Sequence, residues 1–205
     1  MTVITSVLLA VAGGVVVVGV AAGCAGGGPA TGPSTPPPPS GAASAVSESN
    51  PPGDIPDNQA FVTYTAADGF YTLKYPEGWA RTDSGTTVTF TDKYNSITVA
   101  PHNGFYQPTE AYARTVEVPE IASRTAGFAG GDVTTVQRTA GPVIQVTYQV
   151  DSAPNPVTGK SIRQDVARYE YAHNGRGVTV TLSAPAGSDT FDPWRTVTDS
   201  FTWQR

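Results

Sequence analysis

One cysteine, Cys24, stands in the 205 residues. A single thiol excludes an intramolecular disulfide, and in an exported protein it is reactive, paired with another chain, or modified. Charge is scarce as well. Only 14% of residues are Asp, Glu, Lys or Arg, and the net charge is −5. The basic residues are isolated from one another between Lys74 and Arg205. A weakly acidic chain without basic clusters lacks what nucleic-acid binding requires, so no nucleic-acid partner is expected. Histidine occurs twice, as His102 and His173. The first third is poorer still: no Lys or Arg precedes Lys74, and the first acidic residue is Glu48.

That first third holds an apolar run from Val3 to Ala22. About 20 such residues in a helix just cross a bilayer core, so the run reads either as an uncleaved anchor or as a secretion signal. Its end discriminates. Val20-Ala21-Ala22-Gly23-Cys24, followed by Ala25-Gly26-Gly27-Gly28, resembles the lipobox of bacterial lipoprotein signals. Ala21 stands where Leu is commoner, and the amino-terminal region offers only its free amine as a positive charge. The resemblance implies a diacylglycerol thioether on Cys24, cleavage before it, and often an acyl chain such as palmitate on the new amine. Several acyl chains anchor stably where one is marginal. Residues 1–23 are therefore assigned to a signal peptide, and localisation to the extracytoplasmic side of the cell membrane.

Residues 24–58 are rich in Gly, Pro, Ser, Thr and Ala, with the run Pro36 to Pro39. Such a segment buries too little apolar surface to offset its ordering entropy, and a disordered tether is expected. As a flexible coil, about 34 residues span roughly 30–35 Å, and prolines lengthen that.

Residues 59–205 change character. Tyr71, Leu73 and Tyr75 alternate with polar residues, as do Val88 and Phe90, Ile97 and Val99. Ile144, Val146, Tyr148 and Val150 do the same, and so do Val178, Val180 and Leu182. Period two predicts half-buried strands and favours an antiparallel sheet. Tyr112, Thr115 and Val116 fall at helical spacing within 109–123, with Pro119 beginning a second turn. Asp192-Pro193 predicts a helix start, the carboxylate capping and the proline in the first helical position. Phe191, Trp194, Val197 and Phe201 then share one side. The expected fold class is α+β, an antiparallel β-sheet flanked by helices.

These residues also suggest a family. Asp68-Gly69-Phe70, the strand into Tyr75-Pro76-Glu77-Gly78-Trp79, and the hairpin ending Phe90-Thr91-Asp92 resemble the opening of PsbP/Mog1-like domains. Asp192-Pro193-Trp194-Arg195 through Ser200-Phe201-Thr202-Trp203 resembles the end of the bacterial lipoprotein members. The resemblance covers about residues 60–205. It implies an α/β/α sandwich and non-catalytic roles. Plant members assist photosystem II and others bind small GTPases, but only fold residues match here, so neither role carries over. Tyr75, Trp79, Trp194 and Trp203 read as core packing.

Chemistry is sparse. There is no Gly-x-Ser-x-Gly elbow, and both histidines lie near turns, so an enzyme is not expected. Pro154 to Ser161 ends like a phosphate loop, but Pro154 replaces the required glycine and the segment joins two strand-like runs. It reads as a hairpin loop whose Asn155, Pro156, Thr158, Gly159 and Lys160 are candidate partner contacts. The pairs Asp54/Asp57 and Asp189/Asp192 are local in sequence, so neither a metal site nor a cofactor is expected. The sequence predicts a lipid-anchored envelope protein that binds or scaffolds a protein partner. The alternative is a small-ligand-binding lipoprotein associated with a membrane transporter.

Overall fold

The computed structural model describes residues 53–155 and 157–204. Cys24, Pro156 and all but the end of the expected tether lie outside them. Strands β1 (Phe61–Thr65) and β2 (Tyr71–Pro76) open the domain as a hairpin, followed by β3 (Ala80–Ser84), β4 (Thr87–Asp92) and β5 (Asn95–Pro101). A helical segment comes next: α1 (Glu110–Tyr112), a π-turn (Ala113–Glu117) and α2 (Val118–Arg124). Four long strands complete the sheet, β6 (Ala129–Arg138), β7 (Gly141–Asp151), β8 (Arg163–His173) and β9 (Arg176–Pro185). Helix α3 (Phe191–Asp199) and the short β10 (Thr202–Trp203) end the chain.

Seven strands form one antiparallel sheet in the order β3-β4-β5-β9-β8-β7-β6, and β1-β2-β10 form a second. The expected α+β architecture is present, with the small sheet as a further layer. The alternation seen in the sequence determines the core. Val88, Phe90, Ile97, Val99, Val178, Val180 and Leu182 are all at most 1% exposed and pack with Tyr71, Leu73, Val197 and Phe201. Phe201 stacks between Tyr71 and Tyr171 at 5.4 and 4.0 Å. Burying side chains of this size contributes about 1.5–3 kcal/mol each.

The sheet's opposite face divides in two. One row runs Thr82, Thr89, Thr98, Thr181, Arg168, Val146 and Val133 across all seven strands. Its threonine end is hydroxyl-lined and partly solvated, with Thr89 and Thr98 hydroxyls 3.2 Å apart. Its valine end is roofed by the helical segment: Ala113 is fully buried against Val133, Ile144 and Val146, with Val118 and Tyr148 beside them. Arg168 lies at the boundary.

Two local expectations need correction. The inward residues of the helical segment are Ala113, Glu117 and Val118, while Tyr112 is 49% exposed. The π-turn holds one residue more per turn than an α-helix, which shifts the buried stripe away from the α-helical spacing of Tyr112, Thr115 and Val116. Pro119 stands at the start of α2, as expected, where a missing N–H is tolerated. At the other end, α3 starts at Phe191 after Thr190, so Asp192 lies within its first turn and does not cap it. There the carboxylate still meets the favourable end of the helix dipole. Phe191 is exposed; Val197 and Phe201 are buried.

The tether boundary moves as well. Gly53 and Ile55 are buried against the domain, and Asn95 Nδ2 donates to the Gly53 carbonyl at 3.0 Å. The Asp189 amide donates to Asp54 Oδ1 at 3.0 Å. Residues 53–58 thus belong to the packed unit, because one isoleucine and two specific hydrogen bonds suffice to order so short a stretch. Among the described residues no helix is long and apolar enough to cross a membrane.

Candidate functional site

The alternation of β8 that buries Ala167, Tyr169 and Tyr171 on one face sends Arg168 and Glu170 to the other, beneath the helical segment. Glu170 is 1% exposed. Arg168 Nε donates to its Oε1 at 2.9 Å, and an Arg168 Nη lies 3.7 Å from Glu117 Oε1. Glu117 closes the π-turn, which turns its side chain inward onto this pair. Two carboxylates thus share one guanidinium.

That arrangement sets the protonation. Burial pushes the Glu117 carboxyl up to about 8, assisted by the neighbouring Glu170 carboxylate, against a smaller opposing pull from Arg168. Near neutral pH Glu117 therefore keeps its proton. The second oxygens, Glu117 Oε2 and Glu170 Oε2, are buried without a hydrogen-bond partner.

His102 and Tyr106 form the adjoining wall. The His102 ring stacks on Tyr106 at 3.6 Å and 15°, and its Nε2 lies 2.7 Å from the Thr179 hydroxyl. Burial, then the Arg168 charge, lowers the histidine's pKa, which keeps the ring neutral. Thr179 is itself buried, so the pair presents no accessible hydroxyl nucleophile. Burial, then the charges of Glu170 and Glu117, holds the Tyr106 phenol far above its usual range; its hydroxyl sits near Glu170 but has no hydrogen-bond partner of good geometry. The seat of these rings is glycine-dependent. A Cβ on Gly177 would collide with the Tyr106 ring, and one on Gly175 would come within 2.7 Å of Phe105.

Two hollows open over this floor and share His102, Tyr112 and Glu117. Phe105 stands on the rim, 81% exposed. The cleft therefore joins an aromatic mouth to a polar, charge-bearing base.

The residues expected from sequence distribute differently. Asn155, Thr158, Gly159 and Lys160 lie in the β7–β8 loop, where Asn155 Oδ1 accepts from the amides of Val157 and Thr158 and the loop closes on itself. Val157 at its tip is 89% exposed. This loop joins two strands. It lies at the end of β8 away from Phe105, about 30 Å along the strand at 3.3 Å per residue. His102 and His173 do not meet: His102 sits over Thr179, whereas His173 stacks toward Trp203 of the small sheet. Asp54, Asp57, Asp189 and Asp192, two separate pairs in sequence, line a single hollow. Among the described residues no group of three or more His, Cys, Asp or Glu has metal-holding geometry. Glu117, Arg168 and Glu170 escaped the sequence reading. The available signal was a charged pair at i and i+2 inside the apolar run from Val166 to Tyr171.

No family model and no curated protein matches this sequence. Solved structures do. Cyanobacterial PsbP (CyanoP) from Synechocystis is 15% identical over 74% of this chain and 98% of its own, with a TM-score of 0.51. The yeast Ran-binding protein Mog1p is 13% identical over 70% of this chain and 95% of its own, with a TM-score of 0.47. LpqN, involved in cell envelope biogenesis of Mycobacterium tuberculosis, is 14% identical over 73% and 93%, with a TM-score of 0.41. The chain spans about half, 48%, of a Bacteroides thetaiotaomicron structure, at 9% identity over 70% of this chain and a TM-score of 0.44. The likeness to the cyanobacterial structure establishes a PsbP-like fold.

Proposed function

We propose that this chain is a lipid-anchored extracytoplasmic protein without catalytic activity, whose domain binds a protein partner at the cell envelope through the cleft beneath the helical segment. The observation that carries the binding reading is Phe105, a large apolar side chain 81% exposed beside the half-exposed Tyr112. Exposed aromatics around a desolvated centre are the residue types that dominate interface energetics. The anchor reading rests on Val20 to Cys24 and the Gly/Pro/Ser-rich stretch after it. The Asn155–Lys160 loop, with exposed Val157, is a second candidate surface too far away to belong to the same contact. The alternative, a small-ligand-binding lipoprotein serving a transporter, draws support from the polar base of the cleft.

A photo-crosslinking residue at position 105 or 157 of the full membrane-bound chain tests the assignment. A discrete protein adduct from position 105, lost with Tyr112→Ala, is the expected result. Adducts from position 157 alone would transfer the role to the loop, and none from either would remove the partner reading. Mass spectrometry of the amino terminus tests the anchor: a lipid-bearing Cys24 is expected, and Cys24→Ser should release the protein from membranes.

A further inference from the structure

The ionised groups at the base of the cleft do not balance. Glu117 and Glu170 bring two negative charges and Arg168 brings one positive. The ion pair of Arg124 with Glu120 at the mouth is neutral in sum and exposed. The remaining neighbours add no charge near neutral pH: His102 has a lowered pKa, and the Tyr106 and Tyr148 phenols are raised by burial. One negative charge is left over in a desolvated place, where an uncompensated charge is strongly unfavourable. A proton compensates it in the free protein. Any cation that reached the same oxygens would do so too.

The surroundings select the kind of cation. Glu117 lines both hollows, its side chain 11% exposed. Tyr106, Tyr112 and Phe105, together with Pro108, make the approach aromatic and apolar. Aromatic faces attract cations and favour those carried on hydrocarbon over compact hydrated metal ions. Glu117 Oε2, Glu170 Oε2 and the Tyr106 oxygen are buried at this base without hydrogen-bond partners, and a primary ammonium brings three N–H donors.

We infer that the base of this cleft receives one primary ammonium group on an aliphatic stem, the lysine side chain of the bound protein partner, which pairs with the Glu117 carboxylate beside Arg168 and Glu170. The inference rests on the cleft being the binding surface proposed above. Binding releases one proton. Because the carboxyl titrates at about 8, affinity rises about tenfold per pH unit between pH 6 and pH 7.5. Lysine itself stays charged throughout.

The test uses the full chain in detergent micelles and Nα-acetyl-lysine N-methylamide, with the norleucine counterpart as an uncharged probe of matching stem. NMR titration should show the lysine compound shifting the His102 and Tyr106 resonances, with tighter binding at pH 7.5 than at pH 6. The norleucine compound should leave them unmoved. Glu117→Gln keeps the size of the side chain without the charge, and it should weaken lysine binding at least tenfold while preserving the spectrum of the core. Equal binding of both compounds would show a merely apolar cleft and overturn the inference. No binding of either would mean that the proton alone balances the pair, and would overturn it equally. A Phe105 crosslink could still form in that case, so this failure is distinct from failure of the partner reading.

Discussion

Glu117 is buried over a second carboxylate that strand geometry brings beneath it, and its titration couples to folding. In the unfolded chain a glutamate titrates near 4.3; in the fold this one titrates at about 8. Between those values the native state binds more protons than the unfolded state, so stability falls as pH rises from about 4.5 to 8. Glu117→Gln removes that slope. Urea unfolding should show the variant matching the parent near pH 5 and exceeding it at pH 8.5. A parent midpoint that stayed flat across this range would contradict the raised Glu117 titration. The sequence displayed Arg168 and Glu170 two residues apart in a strand, but not the helix above them. A charged pair in such a pattern ordinarily faces solvent, and only the roof over that half of the sheet makes it internal. Glu117 is less legible still, since its direction depends on one extra residue in a helical turn.

The connection between β5 and α1 meets β9 and the turn before it at two glycines. Tyr106 lies flat over Gly177, and the Tyr106 amide donates to the Gly175 carbonyl at 2.7 Å. Gly177→Ala would push the ring off its seat and break the His102 stack. The expected outcome is a cleft that no longer accepts the lysine compound, with faster amide exchange in 105–117 and little change in β5. The roof has a similar dependence at Gly131, where φ is +106° and an added Cβ would come within 2.7 Å of Val118 Cγ1. Gly131→Ala should lower stability by about 1 kcal/mol or more in urea. At this scale most of the architecture was legible. The alternating runs at Tyr71–Tyr75, Val88–Phe90, Ile97–Val99 and Val178–Leu182 became strands with the expected inward faces. Helix boundaries were less so. Asp192-Pro193 satisfies a capping pattern, yet the helix starts earlier, because Val197 and Thr198 must point into the core. Such a demand belongs to the packing, not to the local sequence.

Across the whole domain, the helices leave half of one sheet face to threonine hydroxyls, and the cleft sits where cover and bare face meet. Composition announced where the folded region begins only approximately, since proline and glycine near residue 53 look the same whether packed or free. The difference is Ile55, 7% exposed. A chain beginning at Gly53 should be more stable than one beginning at Gln59 by about 2–3 kcal/mol in urea, the worth of that buried side chain. Equal stabilities would show the segment to be dispensable. This seam also determines how the domain carries load. Gly53 is held by Asn95 at the head of β5 and lies against Pro185 at the end of β9, the third and fourth of seven strands. Tension applied through the upstream chain therefore enters the middle of the large sheet and bypasses its frayable margins. The Asn95 bond and the seat of Ile55 are the first contacts such a pull would meet, ahead of the strands that carry the cleft.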